Sequence, residues 1–301
     1  METAQTQPLL GERASWLPWA LLALGVGAAS VSAILVRYAD GADALALSFW
    51  RCVGGAAALL PFATAGLRRG GSATLRAPVV AGVFLMLHFA TWMSSVNLTT
   101  VAASVLLVST TPVFVAIAAL VVYGERLPGL AWAGILLATG GAAVVGGGSL
   151  EGSSFAGNAL AVAGAATAGG YVMAGQVARR TLGILEYAVV TYSVAAVLLL
   201  VVCLVAGIEL AGYPAGTWWA IAGLVVGPQL LGHTVINLVL SDIDATTVSV
   251  TIMAEPVVAT ALAFLLFDEV PTWLLYPGGV AILAGIYLVS TARREPVVIV
   301  E

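Results

Sequence analysis

A few polar residues stand where apolar ones would be expected. Glu255, followed by Pro256, interrupts the apolar run Ala245–Phe267 near its middle. A carboxyl there can carry a coupled proton or meet a substrate amine. Alternatively it stays protonated, or bonds to backbone freed by the proline. Arg51 lies within the apolar stretch Asp43–Leu67. It can pair with Glu255 or bind a carboxylate, or it can snorkel to an interface. His88 and His233 are 145 residues apart, each in an apolar stretch. Histidine titrates near neutrality and can shuttle protons, or it can remain neutral and hydrogen-bonded between helices. Trp92 follows His88 by four positions, so the two share a helical face. Together they can form a cavity wall for an amphipathic or aromatic solute, or simply pack. Asn237 and Gln229 can line the same cavity or tie helix to helix.

The elements that must position these side chains follow from composition. Of 301 residues, 61% are hydrophobic and 9% charged, and mean hydropathy is +1.06. A soluble domain carries about 25% charged residues. With so few charges, folding in water would leave large apolar patches exposed, whereas a bilayer tolerates them. The net charge is −4 and no basic stripe is present, so nucleic acid is excluded as a partner. Cys52 and Cys203 lie inside apolar runs and give neither a disulfide framework nor metal-ligand spacing. No phosphate-binding loop occurs, and no cofactor, metal or catalytic residue is expected.

A spanning helix needs about 20 apolar residues, and the chain is read as ten of them. They are Leu17–Val36, Asp43–Leu67, two within Ala77–Gly124 separated at Asn97-Leu98-Thr99-Thr100, Leu127–Gly148, Ala156–Ala178, Leu185–Gly207, Gly216–Leu240 interrupted at Gly227-Pro228-Gln229, Ala245–Phe267 and Val270–Thr291. Pro112 and Pro256 fall mid-helix, where each frees the carbonyl four residues back, at Val108 and Ile252. Such kinks suit gating helices or are static. With the N-terminus inside, the inner segments hold Arg13, Arg68, Arg69, Arg76, Arg126, Arg179, Arg180, Arg293 and Arg294, against Arg37 outside. Cytoplasmic segments concentrate arginine, so both termini are expected in the cytoplasm.

The two halves repeat. Thr111-Pro112, Glu125, Gly134 and Gly141 recur as Glu255-Pro256, Glu269, Gly278 and Gly285, all at an offset of 144. Five helices per half is an odd number, so the second half enters the membrane from the opposite side. That is an inverted repeat, a plan common among secondary transporters. The phrases Tyr123-Gly124-Glu125-Arg126-Leu127 and Phe267-Asp268-Glu269-Val270-Pro271, with Glu255-Pro256-Val257-Val258-Ala259, resemble the paired EamA domains of the drug/metabolite transporter superfamily. The resemblance runs from about Trp19 to Thr291 and implies two five-helix halves around a central cavity.

The expected organisation is a tail at 1–16, repeats at 17–148 and 149–291, and a tail at 292–301. The expected function is transport of small metabolites such as amino acids by alternating access, as exporter or exchanger in the cell membrane. Glu255, Arg51, His88, Trp92, His233 and Asn237 are the candidate substrate or coupling residues, with Pro112 and Pro256 at the gating kinks. Protons are the candidate coupling ion, membrane lipids surround the chain, and the unit is a monomer or homodimer. The alternatives are a membrane-embedded enzyme and a non-transporting scaffold or sensor.

Overall fold

A computed structural model describes residues 16–69, 75–99, 101–145, 154–267 and 273–292. Arg13, Glu269, Arg293 and Arg294 lie outside these residues. All regular structure among the described residues is helical. The order is α1 (Leu17–Ser30), α2 (Ser32–Tyr38), α3 (Ala44–Arg69), α4 (Arg76–Leu98), α5 (Val101–Val108), α6 (Thr111–Tyr123) and α7 (Gly129–Val145). Then come α8 (Phe155–Arg179), α9 (Ile184–Ala206), α10 (Ala215–Leu224), a π-helical segment (Val225–Thr234), α11 (Val235–Leu238), a 3-10 turn (Val239–Ser241), α12 (Ala245–Ile252), α13 (Glu255–Phe267) and α14 (Leu275–Thr291). Six helical stretches are long and apolar enough to cross a membrane: Leu17–Val36, Ala44–Leu67, Arg76–Ser95, Phe155–Arg179, Ile184–Ala206 and Ala215–Ser241. Leu106–Val122, Gly129–Val144, Ala245–Val258 and Leu275–Thr291 are apolar but shorter.

The structure corrects three sequence expectations about continuity. The helices carrying Pro112 and Pro256 are broken, not kinked. In the first half α5 stops at Val108 and α6 restarts at Thr111; in the second α12 stops at Ile252 and α13 restarts at Glu255. Both prolines therefore sit in the first turn of a new half-helix, where the missing N–H had no intrahelical partner to lose. Hydroxyls cap the carbonyls at the first break. Thr110 Oγ1 donates to Leu107 O at 2.6 Å and Thr111 Oγ1 to Val108 O at 2.7 Å, giving these carbonyls local partners in place of ladder bonds. The first span is also divided, between α1 and α2 at Val31. Conversely, Gly227-Pro228-Gln229 does not interrupt its helix. The backbone widens into a π-helix across Pro228 and continues.

The repeat is visible in packing. α4 of the first half lies along α8 of the second, and the repeat-related pair, α1 of the first half and the π segment with α11 of the second, meets in the same way. α7 packs on α14, and α3 on α9. At the α7–α14 seam a Cβ on Gly134 would stand 2.7 Å from Gly285 O, and one on Gly141 would stand 2.6 Å from Gly278 O. Rising numbers on one helix meet falling numbers on the other, so these repeat-related helices run antiparallel. The offset of 144 exchanges one glycine contact for the other, as a two-fold axis through the seam requires. Without side chains at these four positions the backbones meet directly, a contact suited to helices that gain little hydrophobic drive from lipid.

Candidate functional site

Where the two halves face one another they frame a cavity of about 190 Å³. It is lined from α1 through α6 on one side and from α8, the π segment, α11, α12 and α13 on the other. Both helix breaks open onto it. Arg51, His88, Trp92, Pro112, His233, Asn237, Glu255 and Pro256 line it, whereas Gln229, also singled out from the sequence, stands outside the lining and ties its helix to α3 through Arg51.

Arg51 is 1% exposed, so it does not snorkel to an interface. Its Nε donates to Gln229 Oε1 at 2.8 Å, and the guanidinium carbon lies 4.6 Å from the centre of the Phe89 ring. That ring face offers a cation–π contact. Nη2 is buried without a hydrogen-bond partner. The arrangement depends on Gly55, one turn after Arg51 on the same face of α3. A Cβ there would stand 2.8 Å from Gln229 Cγ and 3.1 Å from the Tyr192 ring, so only glycine leaves Gln229 its place. The widened π turn carries Gln229 into that space.

His88 Nδ1 lies 3.0 Å from Gly164 O. A carbonyl only accepts, so Nδ1 donates to it. The His88 and Trp92 rings stack at 5.9 Å and 3°, as their four-residue spacing predicts. Trp92 Nε1 is buried without a partner. On the facing wall His233 meets Phe89 edge-on at 5.7 Å and Tyr171 at 5.9 Å. Asn237 Nδ2 donates to Tyr171 Oη and to His233 O, both at 2.6 Å. The Asn237 backbone carbonyl accepts from Arg179 Nε at 3.2 Å. Arg179 is 4% exposed and also donates to Leu182 O. The sequence placed it in an inner segment outside the spans; instead it is folded into the end of α8 and fastens the cavity wall to the turn before α9.

Glu255 is not mid-helix but the first residue of α13. There its carboxyl meets the positive end of the half-helix dipole and not an uninterrupted apolar barrel. Arg51 and Glu255 act on each other electrostatically, yet the hydrogen bond from Arg51 Nε goes to Gln229. Thr111, the repeat counterpart of Glu255, lines the same cavity from α6.

Sequence reasoning missed Phe89, Tyr171, Ser30 and Ser32, which also line the cavity. Tyr171 carried a signal, a lone hydroxylated ring among the glycines and alanines of α8; Phe89 carried none. Among the described residues no group of three or more His, Cys, Asp or Glu could hold a metal ion.

Two inverted helical halves around a shared cavity is an architecture that sequence comparison can test. The profile of the EamA-like transporter family matches residues 14–147 and again residues 155–291. The chain belongs to this family. Membership makes it a multi-pass membrane protein of the drug/metabolite transporter superfamily, with a small-molecule substrate and a lipid surround. A solved protein crystal structure aligns with this EamA chain at a TM-score of 0.75, over 94% of this chain and 100% of its own, with 21% identity. At that identity the likeness speaks for the fold alone. No curated protein matches the sequence.

Proposed function

We propose that this EamA chain is a secondary transporter that moves small metabolites, amino acids among them, by alternating access in the cell membrane. It has ten spans in two inverted five-helix repeats, 17–148 and 149–291, with both termini cytoplasmic. The observation that carries this reading is the cavity that takes walls from both halves and meets both helix breaks. Rocking one half against the other about the glycine seam opens such a cavity to either side in turn. Half-helices joined by two-residue breaks bend there without losing ladder bonds. The direction is export or exchange, and the working unit is a monomer or homodimer.

Glu255 is the coupling group of this proposal, with His88 beside it as a second proton carrier. Glu255 faces Arg51 electrostatically, and the cavity's other titratable groups are His88, His233 and Tyr171. The test is counterflow of labelled amino acids in proteoliposomes at imposed pH gradients. The expected result is flux that follows the proton gradient and loses that dependence in Glu255→Gln. Proton-driven flux that survives Glu255→Gln removes the carboxylate from coupling. Absence of flux for every amino acid overturns the substrate assignment.

A further inference from the structure

The arginine in this cavity is incompletely satisfied. A buried guanidinium normally finds a carboxylate, because an unpaired charge in a low-dielectric site is costly. Here Nε is held by a neutral amide, one face is covered by Phe89, and Nη2 has no partner. Glu255, the acid that acts on Arg51 electrostatically, lies on another helix. Gln229 fixes the plane of the guanidinium through a single hydrogen bond and lends it no charge. The rigidity comes from the π turn and the Gly55 notch, so the fork is oriented before any ligand arrives. A second buried donor without a partner, Trp92 Nε1, belongs to the same lining.

We infer that Arg51, held in plane by Gln229, is the oxyanion subsite of the cavity, and that its ligands are small solutes with one carboxylate and an apolar, ring-compatible body. This deepens the transporter reading above and rests on it for its physiological meaning. The charge inventory favours a carboxylate over phosphate. One guanidinium offers a single positive charge, which one carboxylate balances, whereas a phosphate dianion would call for several cationic donors. The stacked His88–Trp92 pair, Phe89 and Tyr171 supply the apolar walls on which the rest of the solute lies. Gln229 is a positioning residue: it touches Arg51 and does not line the cavity.

The test is binding to the purified full chain in detergent, read by tryptophan fluorescence and thermal shift at constant ionic strength. Four probes are compared: 3-phenylpropionate, phenethylamine, sodium phosphate and sodium chloride. The expected result is saturable binding of 3-phenylpropionate, with the amine and both inorganic anions at least about tenfold weaker. Arg51→Lys, which keeps the charge and loses the fork, should weaken the carboxylate by about tenfold or more. Gln229→Glu should abolish carboxylate binding without lowering thermal stability, because it hands Arg51 an internal carboxylate; this variant keeps the test meaningful if Arg51 variants fail to fold. Phosphate, chloride or amine binding as tightly as the carboxylate overturns the assignment. So does wild-type affinity in a folded Arg51→Lys or Gln229→Glu variant, or no binding by any probe. The two readings fail separately. Flux of a carboxylate solute unchanged by Arg51→Lys sinks the subsite and leaves the transporter. Arg51-dependent binding without flux of any bound solute leaves the subsite and sinks the transporter.

Discussion

At the break in the first half, Thr111 opens α6 and turns its hydroxyl back onto Val108 O at 2.7 Å. At the corresponding break in the second half, 144 residues on, Glu255 opens α13 with a carboxyl and no such hydroxyl. Each new half-helix carries a proline at its second residue, and both breaks face one cavity. The backbone repeats while the chemistry does not. A threonine that satisfies itself locally adds nothing the cavity must balance. A carboxyl on the opposite wall has to be met by protons, by solute or by Arg51. Duplication of a fold supplies symmetric hinges, and a single substitution at one of them is enough to give the cavity a direction of charge.

Four sets of variants probe this difference. The largest effect is expected at the seam, where symmetry is kept. Gly134→Leu and Gly285→Leu should be equally destructive, since a Cβ at either position lands on the other's carbonyl, at 2.7 and 2.5 Å. Overpacking of this kind costs about 1–3 kcal/mol or more when the neighbour is backbone. Size-exclusion profiles and thermal unfolding in detergent should show the same loss for both; a benign Gly134→Leu would mean the two-fold contact is not shared.

Next come the breaks themselves. Glu255→Gln should reduce proton-driven flux by about tenfold or more, while Thr111→Val should leave it within about twofold. Equal losses would erase the proposed asymmetry. The exchange Thr111→Glu with Glu255→Thr is a stricter version. It should not recover flux above the Glu255→Gln level, because Arg51 and its Gln229 partner stay on their own helices. Recovery would mean that the depth of the carboxyl matters and its neighbours do not.

The smallest effect is expected from the prolines. Pro112→Ala and Pro256→Ala should each shift stability by no more than about 1 kcal/mol, because a first-turn proline surrenders no helical hydrogen bond. Thermal unfolding of the two variants checks this. A loss of several kcal/mol from either would restore the mid-helix kink that the sequence suggested.

Much of this molecule was legible in its residues, for identifiable reasons. The scarcity of charge required a bilayer, and the offset of 144 required two related halves. Polar side chains in apolar spans are costly enough that each implied a partner or a cavity; Arg51, His88, His233, Asn237 and Glu255 share one, and Gln229 has Arg51 as its partner. Where reasoning failed, the missing fact was three-dimensional. Pro112 predicts a disturbed helix from sequence, but that the helix breaks shows only in the backbone turn from Thr110 N to Leu107 O, which recurs before Pro256 from Ala254 N to Thr251 O without any hydroxyl at that position. Pro228 gives the same local signal, yet its helix widens into a π turn and continues, packed along α1 and α3. Phe89 could not be told from any other apolar residue of α4 until Arg51 was seen above its ring.

Sequence alone therefore determined the solvent, the repeat and a short list of polar side chains that need a cavity or a partner, because these follow from composition, periodicity and the cost of polarity in lipid. Only the tertiary structure decided that Arg51 pairs with Gln229 and leaves a nitrogen free. Partner choice among buried groups depends on which helices touch and at what height. In this fold that was set by glycines such as Gly55, whose missing side chain is informative only once the opposing helix is in place.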